Sequence, residues 1–367
     1  MGLRVLLAGG GTGGHLFPGI AVAEELEARD REIELVFAGS NRPIEKEIID
    51  RSGYRHLPLE MESSTSFKRH PLRFLSRFRK SCQLASVELS RFNADVVVGL
   101  GGFASLPFIL AARRQRRRVV LLEQNSIAGR ATRFGSYLAD ELCLSFPDTG
   151  GRISRRPQRT ITGNPVRKFI RNISEVRGAN DGRPKLIVLG GSQGARSMNV
   201  EVVAALSWLG EELKEWEIVH QTGPEEIDRI ATLYEKADLE VRTAPFFDAM
   251  DEVYANATLA ICRAGATTLA ELACVGCSAI LYPYPGAIYD HQTANARYYA
   301  DAGGAILMCD RRLNFTDGLD VARNQNTLGE QLRQLLRDPE RLTTMSQAML
   351  QLARPDAARQ VADIILT

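Results

Sequence analysis

Two glycine-rich turns, Gly9-Gly10-Gly11-Thr12-Gly13-Gly14-His15 and Gly190-Gly191-Ser192-Gln193-Gly194-Ala195-Arg196, stand about half a chain apart. Each directly follows an apolar run and precedes a helical pattern. Such a turn lets backbone N–H groups at a helix N-terminus approach an anion closely. Repeated at this interval, it points to a chain of two α/β halves, each with a phosphate-facing edge on a shared cleft.

The rest of the pattern agrees. Short Val/Leu/Ile runs at 4–8, 33–37, 55–59, 95–99, 118–122, 141–144 and 159–162, then at 185–190, 216–220, 239–242, 257–262, 278–282 and 304–308, alternate with longer amphipathic segments. That alternation predicts two doubly wound parallel sheets with crossover helices. Thr162-Gly163-Asn164-Pro165 and the turn-forming stretch 178–184 break it, so the boundary falls between 163 and 184. We divide the chain into 1–166 and 167–349. After 320 the pattern is wholly helical.

A strand-like run begins at Arg4, which leads us to expect no secretory leader, and no apolar stretch reaches the roughly 18 to 20 residues that span a bilayer. A cytoplasmic, soluble chain is the expectation. Cysteines 82, 143, 262, 274, 277 and 309 show no disulfide framework, and Cys274-x-x-Cys277 lacks the second pair that a zinc site needs. They read as buried or idle thiols. The chain contains no Asp-x-Asp pair, so a metal-bridged diphosphate is not expected. A net charge of +2 conceals basic residues crowded into the first half.

Gly9-x-Gly11-x-x-Gly14 fits the dinucleotide fingerprint, but the second strand ends in Phe37-Ala38-Gly39-Ser40, without the carboxylate that would hold a ribose. His15 sits in the first turn of the next helix, where the dipole disfavours the imidazolium, so it reads either as a general base or as a capping residue. In the second half, Cys262-Arg263-Ala264-Gly265-Ala266-Thr267-Thr268 joins a strand to a helix and offers N–H groups to a phosphate. Glu271, one turn inside, either accepts hydrogen bonds from a vicinal diol or lies on a solvated face. Asp290-His291-Gln292-x-x-Asn295 opens another helix with groups suited to sugar hydroxyls. Together these describe a nucleotide-sugar site in the C-terminal half. Leaving-group charge would fall to helix dipoles, amides and an arginine, Arg263 or Arg167.

With these motifs, and with Gly101-Gly102-Phe103, Glu123-Gln124-Asn125 and Gly163-Asn164-Pro165-Val166-Arg167, the chain resembles the MurG family of bacterial cell-wall glycosyltransferases, within glycosyltransferase family 28. The resemblance runs nearly end to end. It implies a GT-B fold, two Rossmann-like domains facing a deep cleft, with the donor in the C-terminal domain and the helix at 350–367 packing back on the first. It implies metal-independent, inverting transfer of GlcNAc from UDP-GlcNAc to the 4-hydroxyl of MurNAc in lipid I, giving lipid II for peptidoglycan. On that pattern His15 deprotonates the hydroxyl, with Thr12 and Asn125 beside it. Thr12, Gly13, Gly14 and Asn125 also border the donor. Ser192 and Arg167 meet the diphosphate along with Arg263, Ala266, Thr267 and Thr268, Phe247 lies by the uracil, and Glu271 binds ribose. Gln292 and Asn199 read GlcNAc hydroxyls near His291. The sequence departs from the family at Phe103, where Tyr is common, at Leu122, where His is common, and at His291, which is Gln in some members. A UDP-GlcNAc 2-epimerase of the same fold and a non-catalytic donor-binding scaffold are the alternatives.

A lipid acceptor requires contact with a bilayer. Residues 67–80 interleave three phenylalanines and two leucines with six basic residues, as an interfacial helix does. Phe67, Arg69, Arg73, Phe74, Arg77 and Phe78 are the expected membrane contacts, at the cytoplasmic face of the inner membrane. The basic run 113–118 is either a second contact or a solvated helix end. No nucleic-acid-binding fold accompanies either run, and other proteins of cell-wall synthesis are the remaining expected partners.

Overall fold

The computed structural model describes residues 2–60, 71–176, 182–191, 194–308 and 327–367. The chain divides into two compact units, Met1–Lys168 with Arg354–Thr367, and Phe169–Ala353.

In the first unit, β1 (Arg4–Gly9), β2 (Glu34–Ser40), β3 (Arg55–Leu59), β4 (Val96–Gly101), β5 (Arg118–Glu123), β6 (Glu141–Leu144) and β7 (Gln158–Ile161) form one sheet in the order β3-β2-β1-β4-β5-β6-β7. Neighbours pair in parallel throughout. Parallel strands are covered on both faces, which is why β1 reads as an unbroken apolar run. Successive side chains point to opposite faces. Val5 and Leu7 accordingly join a core with Leu16 and Leu26 of the helix Gly13–Arg29, while Leu6 and Ala8 join another with Leu89, Phe108 and Ile109 from the helices Pro71–Phe92 and Leu106–Arg114.

The second unit repeats the plan with β8 (Lys185–Leu189), β9 (Glu217–Gln221), β10 (Arg242–Ala244), β11 (Ala257–Cys262), β12 (Ser278–Leu281) and β13 (Ala305–Leu307), again parallel, in the order β10-β9-β8-β11-β12-β13. Each strand overlaps its apolar run. The largest slip is β10, which begins at Arg242 where the run at 239–242 ends. Both sheets are Rossmann-like, and in each the order reverses beside the first strand. Such a switch point leaves a crevice at the strands' carboxyl ends, where ligands of open α/β sheets bind. Each glycine-rich turn follows the first strand of its sheet.

The chain returns to the first unit at Arg354, not at 350, because the helix Pro339–Leu352 packs on β11, β12 and the helix Ala266–Cys274 of the second. Gly163, at φ +83°, permits this return: a Cβ there would lie 2.4 Å from Arg354 Cβ. The last helix, Ala357–Leu366, adds Val361, Ala362 and Ile365 to the core around Val5. Much of the basic run 113–118 is committed locally. Arg118 donates to the carbonyls of Ile364 and Ile365 and to Glu141, Arg113 faces Asp140 at 3.9 Å, and Arg117 bonds Asn93 Oδ1 at 2.7 Å.

Two expected membrane contacts are corrected. Phe74 is buried and Phe78 half-buried, and both rings pack against Phe103, at centroid distances of 5.4 and 5.3 Å. Phe103, one of the departures noted above, is thus part of an aromatic cluster under the helix. Phe67 and Arg69 lie outside the described residues. The outward apolar residues are Leu72 and Leu75, 84% and 59% exposed, among exposed Arg73, Arg77, Arg79 and Lys80. Among the described residues no helix is long and apolar enough to cross a membrane. Cys82, Cys143, Cys262, Cys274 and Cys277 are free and buried, and burial pushes the Cys143 and Cys262 thiols up to about 12.

Candidate functional sites at the two switch points

In the first unit, Gly11 takes φ +98° and Thr12 becomes the N-cap of Gly13–Arg29, with no side-chain cap bond. The Thr12 hydroxyl instead lies 3.4 Å from His15 Nδ1. The half-buried His15 ring reaches across to the end of β4. A Cβ on Gly101 would stand 2.8 Å from His15 Cδ2, and one on Gly102 would stand 2.5 Å from the Gly10 carbonyl oxygen. Both glycines have positive φ, at +101° and +74°, so the pair is dictated by backbone conformation and by the imidazole it accommodates.

Beyond β5, Glu123 is buried and accepts from the Asn125 backbone N–H at 3.0 Å, the Asn125 side-chain amide at 3.3 Å and the Gly129 N–H at 2.9 Å. Burial pushes its carboxyl up while the Thr132 hydroxyl and those N–H donors pull it down. Asn125 is therefore oriented by an internal carboxylate. Leu122, one of the departures noted above, is buried in the core.

One donor of this first turn is taken up inside the protein. The Gly11 N–H donates to Glu45, a fully buried carboxylate in the first turn of the helix Pro43–Arg51, and Ser40 Oγ donates to the same oxygen. No motif announces Glu45, since its partner lies 34 residues away.

In the second unit, Gly190, Gly191 and Gly194 follow β8, and a Cβ on Gly194 would lie 2.4 Å from the Thr222 carbonyl oxygen. Ser192 lies outside the described residues. Asn199 is corrected from a sugar-reading group to an internal bracket. Fully buried, its amide donates to the Thr222 carbonyl at 2.8 Å, and its oxygen meets His220 Nε2 at 3.1 Å. His220 Nδ1 meets Tyr234 OH at 2.8 Å, and burial pushes this imidazole down to about 3. The network fixes the carbonyl against which Gly194 packs.

After β11, Gly265 is the N-cap of Ala266–Cys274 and supplies no side-chain cap. The first N–H groups of a helix have no intrahelical acceptor. Ala266, Thr267 and Thr268 thus form a positive helix end at the switch point. Arg263 braces the loops around it. Its guanidinium donates to the Tyr282 carbonyl at 3.2 Å and to Ser197 Oγ at 3.4 Å, and lies 5.9 Å from the Tyr284 ring. Asn295, fully buried, donates to the Ala264 carbonyl at 3.3 Å, and Gln292 accepts from the Tyr284 N–H at 2.8 Å. His291, half-buried, begins the helix His291–Asp301 just after Tyr289 and Asp290, whose φ of +57° and +55° is uncommon for residues with a side chain. Such conformations cluster at ligand sites.

Glu271 is not on a solvated face. It is 3% exposed, and Tyr254 OH, itself buried, donates to its Oε2 at 2.9 Å. Sequence reasoning overlooked Tyr254, which lies on a separate short helix. Phe247 is half-buried after β10 with Arg242 5.2 Å from its ring. Arg167 belongs to the first unit, not the second, and its guanidinium covers the Phe17 ring at 4.9 Å. Among the described residues no three His, Cys, Asp or Glu side chains gather as a metal site requires.

Comparison with known proteins adds to this geometry. The N-terminal domain of glycosyltransferase family 28 matches residues 5–143, and the C-terminal domain of the same family matches 185–361. A protein of Syntrophotalea carbinolica, named UDP-N-acetylglucosamine--N-acetylmuramyl-(pentapeptide) pyrophosphoryl-undecaprenol N-acetylglucosamine transferase, is 39% identical over 366 residues, 98% of this chain and 97% of its own length. The crystal structure of Acinetobacter baumannii MurG superposes with a TM-score of 0.73 at 28% identity, covering 99% of each chain. A UDP-GlcNAc 2-epimerase from Neisseria meningitidis, solved with UDP-GlcNAc bound, reaches 0.68 at 13% identity over 100% of each chain, a likeness of fold alone.

Proposed function

The chain belongs to glycosyltransferase family 28, and from that premise we propose that it moves GlcNAc from UDP-GlcNAc to the 4-hydroxyl of the MurNAc of lipid I, forming lipid II and UDP. One observation carries the reading. Relatives that share its full length bear that transferase's name, whereas the epimerase shares little beyond the fold.

The chemistry follows from the groups at the two switch points. His15 takes the proton of the acceptor hydroxyl as its oxygen attacks the anomeric carbon, and the bond to the UDP oxygen breaks with inversion. Charge developing on the departing diphosphate meets the N–H groups of Ala266, Thr267 and Thr268 and the dipole behind them, with no metal required. Glu271, steadied by the Tyr254 hydroxyl, accepts from the ribose hydroxyls. Gln292 and His291 border the sugar, and Phe247 the uracil. Asn125, oriented by Glu123, and Thr12 hold the acceptor sugar beside His15.

The acceptor is carried by a lipid, so the protein attaches peripherally at the cytoplasmic face of the membrane. Leu72 and Leu75, with the cations around them, make that contact.

Incubation with labelled UDP-GlcNAc and a short-chain lipid I analogue, with and without chelator, tests the reading. Label is expected in a β-linked disaccharide, unaffected by chelation. Formation without acceptor of UDP-N-acetylmannosamine, or of UDP and free N-acetylmannosamine by its hydrolysis, would instead indicate epimerase chemistry. His15→Ala is expected to abolish transfer, and wild-type turnover by that variant would remove the proposed base.

A further inference from the structure

In the glycine-rich turn that precedes His15, one backbone donor is taken by the protein's own carboxylate. Glu45 is fully buried, and one of its oxygens accepts from both Gly11 N–H and Ser40 Oγ. The fit leaves no room for another side chain. A Cβ on Gly10 would fall 2.5 to 2.7 Å from the three carboxyl atoms, and one on Gly39 would fall 2.6 Å from Oε2. Arg42, just before the Glu45 helix, donates to the Gly11 carbonyl at 3.3 Å, so both polar groups of Gly11 are tied to one segment. Glu45 Oε2 is buried without a hydrogen-bond partner, and His56 Nε2, likewise orphaned, lies 3.6 Å from the same Gly39 Cβ position. An unpaired buried carboxylate oxygen is costly, and such a group calls for a reason.

We propose that Glu45 is a positioning residue, the internal anion that holds the Gly9–Gly14 turn in shape so that the turn presents His15 to the acceptor. The inference rests on the reading of His15 as the base. Gly10 is clamped between the Glu45 carboxylate on one side and Gly102 on the other, and Gly102 abuts its carbonyl. Gly11, fixed by Glu45, sets the backbone of Thr12, and Thr12 caps the helix on which His15 stands one turn later.

Three variants of the full chain, Glu45→Ala, Glu45→Gln and His15→Ala, are compared in the transfer assay with added formate. Glu45→Ala is expected to lose kcat by about a hundredfold, the scale of a small misplacement of a catalytic group, with KM for UDP-GlcNAc unchanged. Formate, with fewer heavy atoms than the substitution removes, is expected to restore its kcat saturably and to leave wild type and His15→Ala unaffected. Glu45→Gln keeps an acceptor oxygen but not the charge, and is expected to fall about tenfold in kcat alone. Wild-type kcat in either Glu45 variant, alongside an inactive His15→Ala, would overturn the proposal and spare the base. An equal rise in donor KM, or a folded Glu45→Ala deaf to formate, would also overturn it, reducing Glu45 to a generic structural role. Should Glu45→Ala fail to fold, the kcat and KM of Glu45→Gln decide.

Discussion

At the scale of single residues, buried polar groups do the positioning, and two give quantitative expectations. His220 is sealed between Asn199 and Tyr234, and burial lowers its pKa from 6.5 to about 3. The unfolded chain therefore takes up the proton first. Stability from this group is complete above about pH 6.5 and is lost as pH falls toward 3. Between about pH 7.5 and about pH 5 the loss is about 2 kcal/mol. Trp208 and Trp216 are the only tryptophans, and both lie in the second unit, so urea unfolding followed by tryptophan fluorescence reports that unit. The midpoint is expected to drop on acidification, and His220→Gln to flatten the dependence. Tyr254→Phe removes the hydroxyl that steadies Glu271. A hydrogen bond to a charged group contributes about 1.5 to 3 kcal/mol, so KM for UDP-GlcNAc is expected to rise about tenfold or more with kcat little changed. An unaltered KM would separate Glu271 from donor binding.

At the scale of elements, what could be read from sequence follows from how far apart the deciding partners lie. The strands were legible because a parallel strand covered on both faces must be apolar throughout, as Val5, Leu6 and Leu7 are. His15 and the Ala266 helix start were legible because a glycine turn and its helix are contiguous. Glu45, Tyr254 and the inward turn of Phe74 were not, since each depends on a partner 17 or more residues away. The helix Pro71–Phe92 shows the consequence. Its aromatic residues suggested a membrane face, but Phe74 and Phe78 pack on Phe103, leaving Leu72 and Leu75, three apart and so on one side of the helix, as the exposed apolar pair of the proposed contact. Each basic residue near an anionic leaflet contributes about 1 kcal/mol. Replacing Arg73, Arg77 and Arg79 with Gln is thus expected to weaken co-sedimentation with anionic vesicles by about a hundredfold. Phe74→Ala is expected instead to destabilise the fold by about 3 kcal/mol or more, by opening a cavity beside Phe103. Undiminished vesicle binding by the triple variant would place the contact elsewhere.

At the scale of the whole molecule, the chain passes from the first unit to the second after Lys168 and back after Ala353, so the first unit is assembled from both ends of the sequence. The last helix is part of its core. Val361, Ala362 and Ile365 pack with Val5, Leu7 and Leu26, Arg29 pairs with Asp363 at 2.7 Å, and Arg118 donates to the final turn's carbonyls. The first unit cannot complete its apolar core until the second has been traversed. Ile365→Ala, at a position 1% exposed, removes buried methyl groups and is expected to cost about 2 to 4 kcal/mol. The cost falls on one unit only, because every core partner of Ile365 lies in the first. Unfolding followed by circular dichroism, which senses both units, is expected to show an earlier transition, while the tryptophan-reported transition stays where it is. Both signals shifting together would mean that the two units unfold as one cooperative body.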